Sequence, residues 1–575
     1  MLNEEERNVK SVGRRAFLER LGVSTAVATA MMYSRAAVAD NSSRRENDPT
    51  SGNVDGSTRA GAEQRRNDAF QLRVNAAKEE HEIPIPDHLN NGDELLYPHW
   101  WIGNHSKGLP HNSIGEVDDG AYQKLLVAVA SGDANDFAAI PLGGGVKSVK
   151  LADPQGGLAF TLQGTDSAQL AIPPAPALAS AERAGEMVED YWMALARDVP
   201  FSEYGNESIT SAAIYDLNRM SDFKGPTAHG LPRQVTPATL FRGSTKGDLV
   251  GPYISQFLLL PVRFGAVANQ TQIYNTNAAT DYLTTFDSWL AVQNGERPFG
   301  TNNAPGGTSF IKNGRDLAAY LHLDYLGQAA TTASFWLQQH TAPLNPGNPY
   351  VSSANQMGGG TFGSQHVLCL AYEAAQLASR AVFYQKWFVH RALRPEAYGG
   401  LVHNMLAGVR DYPLHREVLN SDAVSRVFSK YGTYLLPHAD PEGCPLHPAY
   451  AEQHSATTGA QVTVLKAFYD GRVALGDLMH KNEMLSIASD NGKSLQPYTG
   501  SDAGEMTVAG ELDKLASNIA LGRDIEAVHW RSDAWQGLLL GEAVAISVLR
   551  DQHRLFNESF SGFTFTTFQG ETITV

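Results

Sequence analysis

Cysteine is almost absent: Cys369 and Cys444 are the only two in 575 residues. A disulfide framework is therefore excluded as the main scaffold, although a single bridge between them stays open in an oxidising compartment. Long hydrophobic runs are missing as well. No segment reaches the ~20 apolar residues that a membrane-spanning helix needs. Positive charge is in deficit, with 45 Lys plus Arg against 61 Asp plus Glu and a net charge of −16. That balance argues against nucleic acid as a partner, which requires a basic surface. It also makes any local cluster of Lys, Arg and His a candidate anion site. Strand-like alternation is scarce, confined to short pieces such as FTFTTF at 563–568. What the chain does have is 42% apolar and 18% charged residues, the balance of a globular protein with a sizeable core.

The first 39 residues read as a targeting segment. Arg14-Arg15 precedes Phe17-Leu18, a modest apolar stretch and the small-x-small site Ala37-Val38-Ala39, the pattern of a bacterial twin-arginine (Tat) signal. The mature protein is then expected to be periplasmic or secreted. Residues 40–75, rich in Ser, Asn, Arg and Gly, read as a flexible tail. The stretch 76–180 is mixed, with turns and a short hairpin expected in IPLGGGVKSVKLADPQGG at 140–157. Its glycine run before Lys147 lacks the spacing of a phosphate loop. From 181 to 575 the text is helical: periodic apolar positions recur at 179–198, 207–222, 278–294, 314–326, 364–393, 456–475, 508–521 and 532–552. Long Asn/Gly/Pro-rich loops at 295–312 and 341–362 are of the kind that line sites. The expectation is an all-α fold of helical bundles with minor short β-hairpins.

Three separated segments carry chemistry. In YQKWFVHRALRPEAYGG, Lys386 and Arg394 stand eight residues apart, about 80° around a helix at ~100° per residue, so they can lean to one side. Pro395 is expected to end that helix. In HPAYAEQHSATTGA, His447 and His454 flank a helix start expected near 450–453, where unpaired backbone N–H groups favour anions. In LGRDIEAVHWRSDAW, Arg523 is followed by His529 and Asp533. On a helix beginning near His529 that carboxylate would accept the Nδ1 proton and leave Nε2 free as a ligand or nucleophile.

Taken together, K-x7-R-P, H-x6-H and R-x5-H-x3-D resemble the signature of the vanadium-dependent haloperoxidases, which share an oxyanion site with PAP2-type acid phosphatases. The Lys–Arg spacing and the flanking LLPHADPEGCPLHPAY are similar to the bromoperoxidase branch. The motifs cover roughly 360–555. The resemblance implies a vanadate cofactor whose oxygens are met by Lys386, Arg394, Arg523 and the backbone of Gln453. It implies that His529 binds the metal and is oriented by Asp533, that His454 is the acid–base residue, and that His447 stands behind them. Hydrogen peroxide, a halide and a small organic acceptor are the implied partners, with a homo-oligomer as the assembled form. An acid phosphatase using His529 as nucleophile is the alternative, and an oxyanion-binding protein with weakened turnover a third reading.

One departure stands out. The family pattern S-G-H is here Glu452-Gln453-His454. A backbone N–H survives at Gln453, but an ionised Glu452 cannot replace a hydroxyl donor, and a desolvated, unpaired carboxylate beside an anion costs several kcal/mol. Glu452 is therefore expected to turn to solvent or a nearby cation, to be protonated, or to weaken the site.

Overall fold

The computed structural model describes residues 59–144, 148–228, 234–269, 271–297 and 305–575. The expected signal (1–39) and most of the expected tail lie outside these residues. The helices that frame the site and its surroundings are α1 (Arg59–Glu82), α2 (Ala181–Ala196), α3 (Gly314–Leu323), α4 (Gln328–Gln339), α5 (Ser364–Tyr384), α6 (Pro395–Leu406), α7 (Gln453–Phe468), α8 (Val508–Ile525) and α9 (Arg531–His553). Strands among the described residues form four antiparallel two-stranded sheets. One of them pairs Thr564–Thr566, inside FTFTTF, with Thr572–Thr574. The all-α expectation holds.

At the centre lies α7. Every residue from Ser455 to Phe468 is buried, as expected for a helix surrounded by others rather than lying on a surface. It packs against α5, α8 and α9. The approach to α9 depends on two glycines one turn apart. A Cβ on Gly541 would stand 2.0 Å from the Ala456 carbonyl oxygen, and one on Gly537 would stand 2.8 Å from the Glu452 oxygen. Both distances are impossible for a side-chain carbon, so glycine here sets the helix separation. The start of α7 is thereby held against the start of α9, and two of the sequence motifs meet.

Several expectations are corrected. Residues 59–75, read as tail, belong to α1. This helix has no buried residue, so its strong helix formers (Ala, Glu, Gln, Arg) leave no apolar periodicity to detect. Pro395 does not end a helix but opens α6 at its first position, where its missing N–H costs nothing. The preceding helix ends earlier: α5 passes into a π-turn over Gln385–His390, closed by Arg391 N–H donating to Lys386 O at 2.9 Å with Arg391 left-handed at φ 41°. The described part of 140–157 has turns and a 3-10 turn at Gly156–Leu158 but no strand. Cys369 is exposed, Cys444 is buried, and both are free thiols.

Candidate oxyanion site

The widened turn after α5 buries Lys386 completely. Its ammonium donates to the Pro448 and Ala449 carbonyls, each at 2.7 Å. Arg394, just before α6, is equally enclosed. Nε donates to His447 O at 2.9 Å, Nη1 to Val528 O at 2.6 Å and to His529 Nε2 at 2.9 Å, and Nη2 to His447 Nδ1 at 2.9 Å. Lys386 and Arg394 therefore share a site without sharing a continuous helix. Burial depresses the pKa of Lys386, and Arg394 and Arg523 nearby add to the shift.

The opening turn of α9 is self-organising. Trp530, fully buried, donates Nε1–H to Leu393 O at 2.8 Å, and the Arg183 guanidinium lies 4.1 Å from its ring centre. Truncating such a residue to alanine costs roughly 3–5 kcal/mol. Asp533 accepts from the Trp530 backbone N–H at 3.3 Å and lies 2.8 Å from His529 Nδ1. Arginine only donates, so the Arg394 contact makes His529 Nε2 an acceptor, and Nδ1 carries the proton towards Asp533. Burial, reinforced by Arg394, Lys386 and Arg523, drives the His529 pKa down and keeps the ring neutral. Both atoms agree on one tautomer, with the Nε2 lone pair turned towards the cations.

Arg523 completes the cluster from the end of α8. Nη1 is 2.6 Å from Glu526 Oε2, while Nε is buried and has no hydrogen-bond partner among the described residues. At the start of α7 no side chain caps the helix, leaving its positive end available to an anion. The Gln453 amide turns away, donating to Ser379 Oγ at 2.8 Å. Only the Gln453 backbone can serve the pocket. Glu452 is fully buried and forms no ion pair among the described residues. Oε2 accepts from Ser455 Oγ at 2.5 Å and Oε1 has no partner among the described residues. Burial raises its pKa to about 8 against the opposing pull of Ser455, Arg523 and Lys386. Of the three expectations for Glu452, the turn to solvent is excluded, and the raised pKa favours the protonated carboxyl.

Two further groups escaped sequence reading. Asp324, just beyond α3, places Oδ1 3.2 Å from His454 Nε2; nothing in local spacing signals a partner that distant. His105 comes from the mixed region 76–180. It is buried, donates its backbone N–H to Arg391 O at 2.9 Å, and acts electrostatically on His447. No local spacing around it signals the site. The structure thus brings together Lys386, Arg394, His447, Glu452, Arg523, His529 and Asp533, with His454 at the half-open rim.

Three buried cations, an unsatisfied guanidinium N–H, an uncapped helix start and a neutral imidazole lone pair define an oxyanion-binding site inside a helical bundle. The chain and its fold match proteins of known kind. No family model matches the chain, but curated relatives do. It is 35% identical to a vanadium-dependent bromoperoxidase of Ascophyllum nodosum over 89% of this chain and 92% of the relative. It is 32% identical to one of Corallina pilulifera, over 88% and 98%. The solved homohexameric vanadate-dependent bromoperoxidase of Ascophyllum nodosum superposes with a TM-score of 0.82 at 33% identity, covering 88% of this chain and 90% of that one. The chain belongs to the vanadium-dependent bromoperoxidase family.

Proposed function

We propose that this protein is a vanadate-dependent haloperoxidase that oxidises bromide or iodide with hydrogen peroxide to hypohalous acid, which then reaches a small organic acceptor. The observation that carries the reading is the Arg394–His529–Asp533 arrangement, where one imidazole nitrogen is fixed as donor and the other as a lone pair facing buried cations. The residues fit vanadate: the buried Arg523 Nε lacks a partner that an oxyanion would provide. When bound, vanadate supplies a Lewis-acid centre that activates peroxide without itself changing oxidation state.

The chain's own groups do the rest. Lys386, Arg394 and Arg523 neutralise the oxyanion charge, the arginines with planar donor geometry. The Gln453 backbone adds an N–H at the start of α7. His529 offers Nε2 to the metal and Asp533 holds the ring in that tautomer. Protonated Glu452 has one oxygen occupied by Ser455, so its O–H can donate from the other and take the place of the family hydroxyl. His454, partly exposed at the rim, would move the peroxide proton, held by Asp324. His447 braces Arg394.

We infer a homo-oligomer as the working form, guided by the homohexameric relative. We also infer export through the twin-arginine signal: exported protein should begin near Asp40 by mass spectrometry, and secretion that persists after Arg14→Lys with Arg15→Lys would refute it. The activity is tested by monochlorodimedone bromination on apo protein with and without orthovanadate, beside p-nitrophenyl phosphate hydrolysis. Vanadate-dependent bromination is expected. Phosphate release by apo protein without bromination would instead select the phosphatase, and neither activity the oxyanion-binding protein.

A further inference from the structure

The end of α3 reaches the site twice. Asp324 takes His454 directly, as described. Two residues earlier, His322 lies with Nδ1 3.5 Å from Glu526 Oε1 and 3.4 Å from Asp440 Oδ2, and Nε2 3.1 Å from Glu442 Oε1. The other oxygen of Glu526 holds Arg523 Nη1 at 2.6 Å. An unbroken chain of contacts therefore runs from imidazole to carboxylate to guanidinium, and ends at the arginine whose Nε has no partner. The side chains of Glu526 and Asp440 are only 3% and 5% exposed, so water does little to screen the charges between them.

We propose that His322 is a positioning residue for the oxyanion site, acting on Arg523 through Glu526. The inference rests on the vanadate reading above. Its physical basis is competition for one guanidinium. Three carboxylates converge on the ring, and one of them, Glu526, divides its charge between His322 and Arg523. Without it, Arg523 becomes the only cation contacting Glu526 and is drawn towards that carboxylate, away from the pocket. The hydrogen bond to Glu526, and then Asp440 and Glu442, hold the His322 pKa up at about 9, so the ring carries its charge at neutral pH. His454 also acts on Glu526, so the same carboxylate feels both the rim histidine and the ring of His322.

The test compares wild type, His322→Ala and His322→Lys as apo proteins, titrated with orthovanadate and separately with inorganic phosphate. Thermal melts and helical circular dichroism are recorded alongside. Outer-layer residues of this kind change affinity by roughly tenfold to a hundredfold, so His322→Ala should bind vanadate about tenfold more weakly with its helical circular dichroism unchanged. His322→Lys, which restores a cation, should recover most of that loss. Wild-type affinity in His322→Ala would overturn the inference alone. Equal losses in the Ala and Lys variants, accompanied by a lower melt, would overturn it in favour of a purely structural role. Absence of vanadate binding in wild type would remove the functional reading and this inference with it.

Discussion

The two histidines closest to the chemistry are held in opposite ways. His529, on the floor of the pocket, is buried and pinned by Asp533 four residues away and by Arg394. His454, on the rim, is 21% exposed and held by Asp324, 130 residues away, at a longer 3.2 Å. The floor is buried, where a fixed tautomer and an undiluted field would suit metal ligation. The rim is looser and wetter, as suits a group that must exchange protons with arriving peroxide. On the proposed reading, one site separates binding the cofactor from moving the proton.

The largest effect should follow from removing the floor. His529→Ala is expected to abolish vanadate-dependent bromination while leaving helical circular dichroism unchanged, because Asp533 still caps α9. Full activity in that variant would remove the vanadium assignment altogether.

Next comes Glu452, which lies on the floor but lacks the fixed partners of its neighbours. Its folded pKa is raised from the ordinary carboxylate value to about 8 by burial. For an acid, a raised folded pKa means the native state binds more protons than the unfolded one between pH ~4.5 and ~8. Stability contributed by the neutral form is therefore present below that window and is progressively lost as pH rises through it. Glu452→Ser should accordingly gain apo-protein stability over wild type at pH 8 but little at pH 5. Vanadate affinity should diverge in the same direction. The two proteins should bind comparably near pH 6, and the serine variant should bind about tenfold or more tightly near pH 9, since one charged hydrogen bond contributes roughly 1.5–3 kcal/mol. Comparing variants at each pH cancels the protonation of vanadate itself. Identical affinities at all pH values would show that Glu452 does not face the anion.

The smallest effect belongs to the rim. Asp324→Asn keeps the shape but weakens the hold on His454, so kcat should fall by less than about tenfold with vanadate affinity unchanged. A loss of vanadate affinity as large as in His529→Ala would erase the distinction between floor and rim.

The same contrast explains what could be read from the chain. His529 is legible because its partner sits within the same motif: Asp533 is four residues on, across the start of α9, and Arg523 is six residues upstream. Long helices with an apolar stripe, such as α2 and α9, are legible for the same reason. Asp324, His105 and His322 are not, because their roles are created by tertiary contacts that leave no local spacing. Pro395 misled in a specific way: proline both follows helix ends and opens helices, and the π-turn that ends α5 has no residue signature. Glu452 was visible as an oddity, but only the packing of α7 on Gly537 and Gly541 decides that it is buried rather than solvated.

The most direct test of the account is a crystal structure of the protein loaded with orthovanadate, with the vanadium located by its anomalous signal. The account predicts one vanadium per chain within bonding distance of His529 Nε2, ringed by Lys386, Arg394 and Arg523, with Asp533 still on Nδ1. A vanadium bound at His454, or absent from this pocket in an enzyme that still brominates, would contradict it.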